Sequence, residues 1–88
     1  MTSAIITNPF YIQGRIDGSN NVPFTSTIKV ENVIASPDDF IEYCKGYGSI
    51  RASLDYDLDI LSNISSWPQV AQDEYNKQYK ILEFIIPK

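Results

Sequence analysis

Residues Ser49 to Leu61 read S-I-R-A-S-L-D-Y-D-L-D-I-L, with Ile50, Ala52, Leu54, Tyr56, Leu58 and Ile60 alternating with Arg51, Ser53, Asp55, Asp57 and Asp59. Successive side chains of an extended chain point to opposite sides, so the alternation predicts a strand with one apolar and one charged face. On such a strand the three aspartates project from one surface, about 6 to 7 Å apart. A strand of this kind needs sheet partners.

Upstream, Ser36-Pro37-Asp38-Asp39 combines a hydroxyl for an N-cap, proline at the first helical position and two carboxylates against the positive end of a helix dipole. A helix is expected from Pro37 to about Lys45, with Phe40, Ile41 and Cys44 on one face, Tyr47 beyond, and Gly46 and Gly48 as its stop. Further back, Phe10 to Ile16 and Phe24 to Val30 each show period-two patterning, and Asp17-Gly18-Ser19-Asn20-Asn21 between them is dense in turn-forming residues. These read as a β-hairpin. Asn8-Pro9 breaks the chain before it, and Gly14 marks a bulge or a close approach of backbones.

Downstream, Ser62 to Ser66 is a polar connection. Trp67, Val70, Ala71 and Tyr75 fall at helical spacing with Asp73 and Lys77 four apart, although Gln69 to Gln72 and the residues from Gln78 also suit two arms of a hairpin. Tyr79 to Ile86 is densely apolar and reads as a buried or interface strand ended by Pro87. The expected fold class is therefore α+β: one domain over residues 1 to 88, with a mixed sheet of about four strands and one or two helices on one face, in the order β-β-α-β-(α)-β.

The chain has 88 residues, 43% of them hydrophobic, enough for one modest core. Seven basic against eleven acidic residues leave a net charge of −4. That balance argues against binding nucleic-acid phosphates or anionic membranes, both of which need Lys and Arg. The single cysteine, Cys44, excludes an internal disulfide framework and suits a reducing cytoplasm. The N-terminus has no basic and apolar pattern of a signal peptide, and no apolar run is long enough for a membrane span.

Chemistry-bearing patterns are few. The chain contains no histidine, which removes the usual base of Ser-His and Cys-His catalysis. Asp55-x-Asp57-x-Asp59 opens like a calcium loop, but Ile60 stands where the turn needs glycine and Ser66 where the ion needs a bidentate glutamate. Neighbouring carboxylates on one strand face are also too widely spaced to share a metal. No cofactor and no enzymatic activity are expected. Asn63-Ile64-Ser65 matches a glycosylation acceptor, here without a secretory signal. Trp67 reads as a core plug, and Tyr11, Tyr47, Tyr75 and Tyr79 as candidate surface rings.

The functional expectation is a small acidic protein-binding module, an inhibitor or nucleic-acid mimic, that occupies a partner's basic surface with Asp55, Asp57 and Asp59, extended by Asp38, Asp39 and Glu42. The alternative is an assembly subunit that forms a homo-oligomer through the strand Tyr79 to Ile86. A carboxylate-metal hydrolase is the third reading.

Overall fold

The computed structural model describes residues 8–85. They form three helices and one short hairpin: α1 (Pro9–Ser19), β1 (Lys29–Val30), β2 (Val33–Ile34), α2 (Pro37–Leu58) and α3 (Gln69–Ile85). The fold is thus mostly helical, and the expected α+β arrangement with a four-strand mixed sheet is overturned. Among the described residues the sheet is β1 and β2 alone, antiparallel, with Lys29 facing Ile34 and Val30 facing Val33.

The segment expected as a first strand is α1. Asn8-Pro9 starts this helix instead of breaking the chain: the Asn8 side chain accepts from the amides of Phe10 (2.8 Å) and Tyr11 (3.3 Å), and Pro9 lacks the N–H that a first turn leaves unpaired. The residues expected as the hairpin turn, 17 to 21, are the end of α1 and the exit from it. The real hairpin turns at Glu31 and Asn32, whose φ values of 49° and 68° suit a tight two-residue connection. Only the last two residues of the expected strand Phe24 to Val30 are paired.

α2 begins where the sequence places it. The Asp39 amide donates to Ser36 Oγ at 3.2 Å and the Ser36 amide to Asp39 Oδ2 at 3.1 Å, closing a reciprocal cap. It does not stop at Gly46 and Gly48. It continues through most of the stretch read as a strand and ends at Leu58, with Asp59 left-handed at φ 59° and Ile60 and Leu61 beyond the helix. The alternation misleads because every second residue includes both i and i+4. Ala52 with Tyr56, and Ile50 with Leu54, are rows along a helix as well as neighbours on a strand.

Glycines explain why the helix persists. A Cβ on Gly14 would strike the carbonyl of Tyr43, and one on Gly46 the carbonyl of Tyr11, so the backbones of α1 and α2 touch through these two positions. Gly18 lies under Tyr47, where a Cβ would stand 2.8 Å from its carbonyl oxygen. On the other side of α2, a Cβ on Gly48 would lie 2.6 Å from the Ala71 carbonyl oxygen. The expected role of Gly14 as a point of close approach fits, inside a helix instead of a strand. The order of partners, 14 with 43 to 47 and 18 with 47 to 50, shows α1 and α2 running in the same sense. α3 also follows α2, with 71 and 75 beside 48 and Tyr79 beside Tyr56.

The core lies on the N-terminal half of α2. Phe10, Ile28, Tyr43 and Tyr47 are buried together, with Phe24, Val30, Ala35, Phe40 and Trp67 packed against them. Trp67 so keeps part of its expected role as a plug. Tyr47 and Tyr75, offered above as surface rings, are each 2% exposed. Residues 67 to 78 form a helix from Gln69 onward, and Tyr79 to Ile85, expected as a strand, continue it; Ile86 and Pro87 lie outside the described residues. Lys77 pairs with Glu74 at 3.3 Å, while Asp73 accepts from Gln69 Nε2 at 2.8 Å. Among the described residues no helix is long and apolar enough to cross a membrane.

Candidate functional site

The six carboxylates expected to share a surface are dispersed. Asp55 is wholly buried (0% exposed), on the side of α2 facing α3. Its Oδ1 accepts from Arg51 Nη2 at 2.7 Å; its Oδ2 accepts from the Tyr75 hydroxyl (2.6 Å), the Ser62 hydroxyl (2.5 Å) and the Ser62 amide (3.2 Å). Arg51 Nη1 donates onward to the Gly18 carbonyl at 3.2 Å, placing a cation at the negative end of α1. Burial alone would raise the Asp55 pKa. The hydrogen bonds from Ser62, Tyr75 and Arg51 and the Arg51 charge outweigh it and hold the carboxyl below the ordinary aspartate range. With both oxygens engaged, Asp55 is a structural node joining α1, α2, α3 and the 59–68 connection, and a strand face turned to a partner does not exist.

Asp57 and Asp59 are exposed at the C-terminal end of α2. Asp38, Asp39 and Glu42 stand in its first turns, roughly 28 Å away along the helix axis. Those three do come together: with Asn8, Ile41 and Lys45 they line a shallow groove of about 480 Å³. Lys45 reaches Glu42 at 3.8 Å, and Asp39 is occupied by the cap. Among the described residues no three His, Cys, Asp or Glu side chains are grouped as a metal would require. Cys44 is fully buried, and burial pushes its thiol up to about 11, so it packs as a small apolar side chain.

Two further surfaces stand out; the first falls in the segment expected as an interface strand, and the second was not expected. On the last turns of α3, Ile81, Phe84 and Ile85 are 40%, 88% and 65% exposed, at i, i+3 and i+4. Read as a strand, these residues were assigned to a buried layer or an interface. Their helical spacing was the available signal. Between the 21–24 segment, α2 and the connection before α3, a cleft of about 360 Å³ is lined by Asn21, Pro23, Phe24, Tyr47, Ser66 and Trp67. The Tyr47 hydroxyl donates to the Val22 carbonyl at 2.6 Å and fixes this wall.

Compared with protein-family models, curated proteins and solved structures, the chain matches none.

Proposed function

We propose that this protein is a non-catalytic assembly module that associates with a second copy of itself through the outer side of the last turns of α3. The observation that supports this is the exposure of Phe84, flanked by Ile81 and Ile85, which form an apolar strip that the packing of α3 on α2 does not use. Fully burying such side chains is worth about 1.5–3 kcal/mol each. Helix strips with this spacing bind by lying in an apolar groove or against a like helix. The charges on the same side of α3, Asp73, Glu74, Lys77 and Lys80, balance, so two copies meet there without net repulsion although each chain carries −4. Three side chains a copy make a small interface, and the association is weak and concentration-dependent. Sedimentation velocity over a concentration series tests the reading: the protein shifts from monomer to dimer, and Phe84→Asp stays monomeric with an unchanged far-UV circular dichroism spectrum. A wild type that stays monomeric at every concentration defeats it.

A second reading, an acidic module that binds a basic protein segment, draws on the groove at the start of α2, where Asp38, Asp39 and Glu42 face one Lys45. Such binding weakens as salt rises. Titration with an oligolysine peptide at low and physiological salt tests it, and binding left unchanged by Asp38→Asn with Glu42→Gln removes it.

A further inference from the structure

We infer that the groove that Leu61 forms with Tyr75, Asn76, Tyr79, Lys80 and Glu83 of α3 is a docking site for an amphipathic helix of a partner protein, one that carries lysine or arginine beside aliphatic side chains. This surface is separate from the strip of Ile81, Phe84 and Ile85. Residues two apart on a helix point to nearly opposite sides, and Tyr79 and Glu83 each stand two from Ile81. The groove encloses about 400 Å³. Its wall is set by Leu61, whose side chain is 74% exposed although the backbone on either side is fixed. The Ile60 amide donates to the Asp55 carbonyl at 2.9 Å, and the Ile60 carbonyl accepts from the Tyr79 hydroxyl at 3.2 Å. On the other side, the Ser62 amide and hydroxyl both donate to Asp55 Oδ2. A large aliphatic side chain is thus held in water by a rigid frame, so docking on it costs little ordering. Leu58 and Ile60 beside it are 63% and 46% exposed, which makes a patch where a scattered single leucine would need no explanation.

Spacing and charge select the occupant. Tyr75, Tyr79 and Glu83 form one row of α3 at intervals of four, and Asn76 and Lys80 form the row next to it. The channel between two such rows is where a ridge of another helix fits. The rows run about 12 Å along α3, the length of about two turns of a partner helix. Glu83 lines the groove, and Asp57 and Asp59 are exposed on the chain just before Leu61, where the C-terminal pole of α2 adds partial negative charge. Among the described residues, Lys80 is the one cation lining it. This balance repels an acidic helix and attracts a basic one, while Leu58 and Leu61 call for aliphatic side chains opposite them. A bare polycation would leave that aliphatic area in water.

The test uses the intact chain and a short fluorescein-labelled peptide of leucine and lysine arranged at helical spacing. Two labelled peptides serve as comparisons, one with glutamate in place of lysine and one of the same composition in scrambled order. The amphipathic leucine-lysine peptide raises the fluorescence anisotropy saturably, and more tightly at low than at physiological salt; the other two do not. Leu61→Ser, at a side chain that is already mostly in water, leaves the far-UV circular dichroism spectrum unchanged and weakens binding about tenfold, the fold-change for one buried aliphatic side chain. Asp57→Asn with Glu83→Gln weakens binding at low salt and flattens its salt dependence, whereas Asp38→Asn with Glu42→Gln, near the opposite end of α2, leaves it as it is. Absence of binding by the leucine-lysine peptide overturns the assignment. So does equal binding of the scrambled peptide, binding untouched by Leu61→Ser, or a loss confined to the Asp38→Asn, Glu42→Gln variant.

Discussion

Asp55 shows how much one carboxylate decides when its surroundings are closed. Its four hydrogen bonds draw on Arg51, Ser62 and Tyr75, and removing its charge leaves the Arg51 guanidinium, 6% exposed, without an ionic partner. Breaking a buried pair from one side costs about 3–5 kcal/mol. Asp55→Asn is therefore expected to lower the unfolding free energy measured in urea by an amount in that range, whereas Asp57→Asn, at an exposed site, leaves it within about 0.5 kcal/mol of wild type. Equal effects of the two changes would remove Asp55 from its place as the node.

The same group sets the acid limit. Its folded pKa lies below the unfolded value of about 3.9, so its contribution is fully present above that pH and is lost as pH falls through the folded value. Tyr75 sets an alkaline limit of the opposite sign. Burial and then its bond to Asp55 raise its pKa to about 12, against about 10 for a free tyrosine, so its contribution is full below about pH 10 and declines toward 12. Urea midpoints measured against pH should show a plateau bounded on both sides, and Tyr75→Phe should remove part of the alkaline loss, the rest coming from Cys44, Tyr43 and Tyr47, whose pKa values burial also raises. Arg51 and Asp55 stand four apart, the spacing of a helical ion pair, so this contact was present in the sequence. It was hidden because Asp57 and Asp59 completed an alternation that a strand also explains.

At the level of elements, the start of α2 was legible and its end was not. Ser36-Pro37 with Asp39 is a local signal, completed within four residues, and the structure forms that cap. Gly46 and Gly48 were read by local propensity as a stop, since a helical glycine costs about 1 kcal/mol relative to alanine. Their actual role depends on α1 and α3, which no local window contains. The two accounts predict opposite signs for one substitution. Propensity predicts that Gly46→Ala stabilises the protein; the contact of that position with the Tyr11 carbonyl predicts that it destabilises by about 1–3 kcal/mol, because α1 must move away. Thermal melts decide between them, and a raised melting temperature would show that α1 does not rest on α2 at Gly46. The apolar Tyr79 to Ile85 segment illustrates the same limit, since dense hydrophobicity alone suits a buried strand as well as a helix with an exposed strip.

Over the whole molecule, the contacts argue for one cooperative unit. α2 touches α1 on one side and α3 on the other, and the Asp55 node joins both junctions to the 59–68 connection. Trp67 reports on that arrangement, since its ring contacts Phe24, Tyr47 and Tyr75, which come from three separate parts of the chain. If α3 could leave while α1 and α2 stayed paired, the environment of Trp67 would change before most of the helix was lost. The shared node opposes this, because departure of α3 takes the Tyr75 hydroxyl from Asp55 and opens the buried ion pair to water. Unfolding in urea followed by Trp67 emission and by far-UV circular dichroism is therefore expected to give superimposable curves with one midpoint. An emission midpoint at clearly lower urea would separate α3 as an independent unit, whereas Asp55→Asn should shift both curves together.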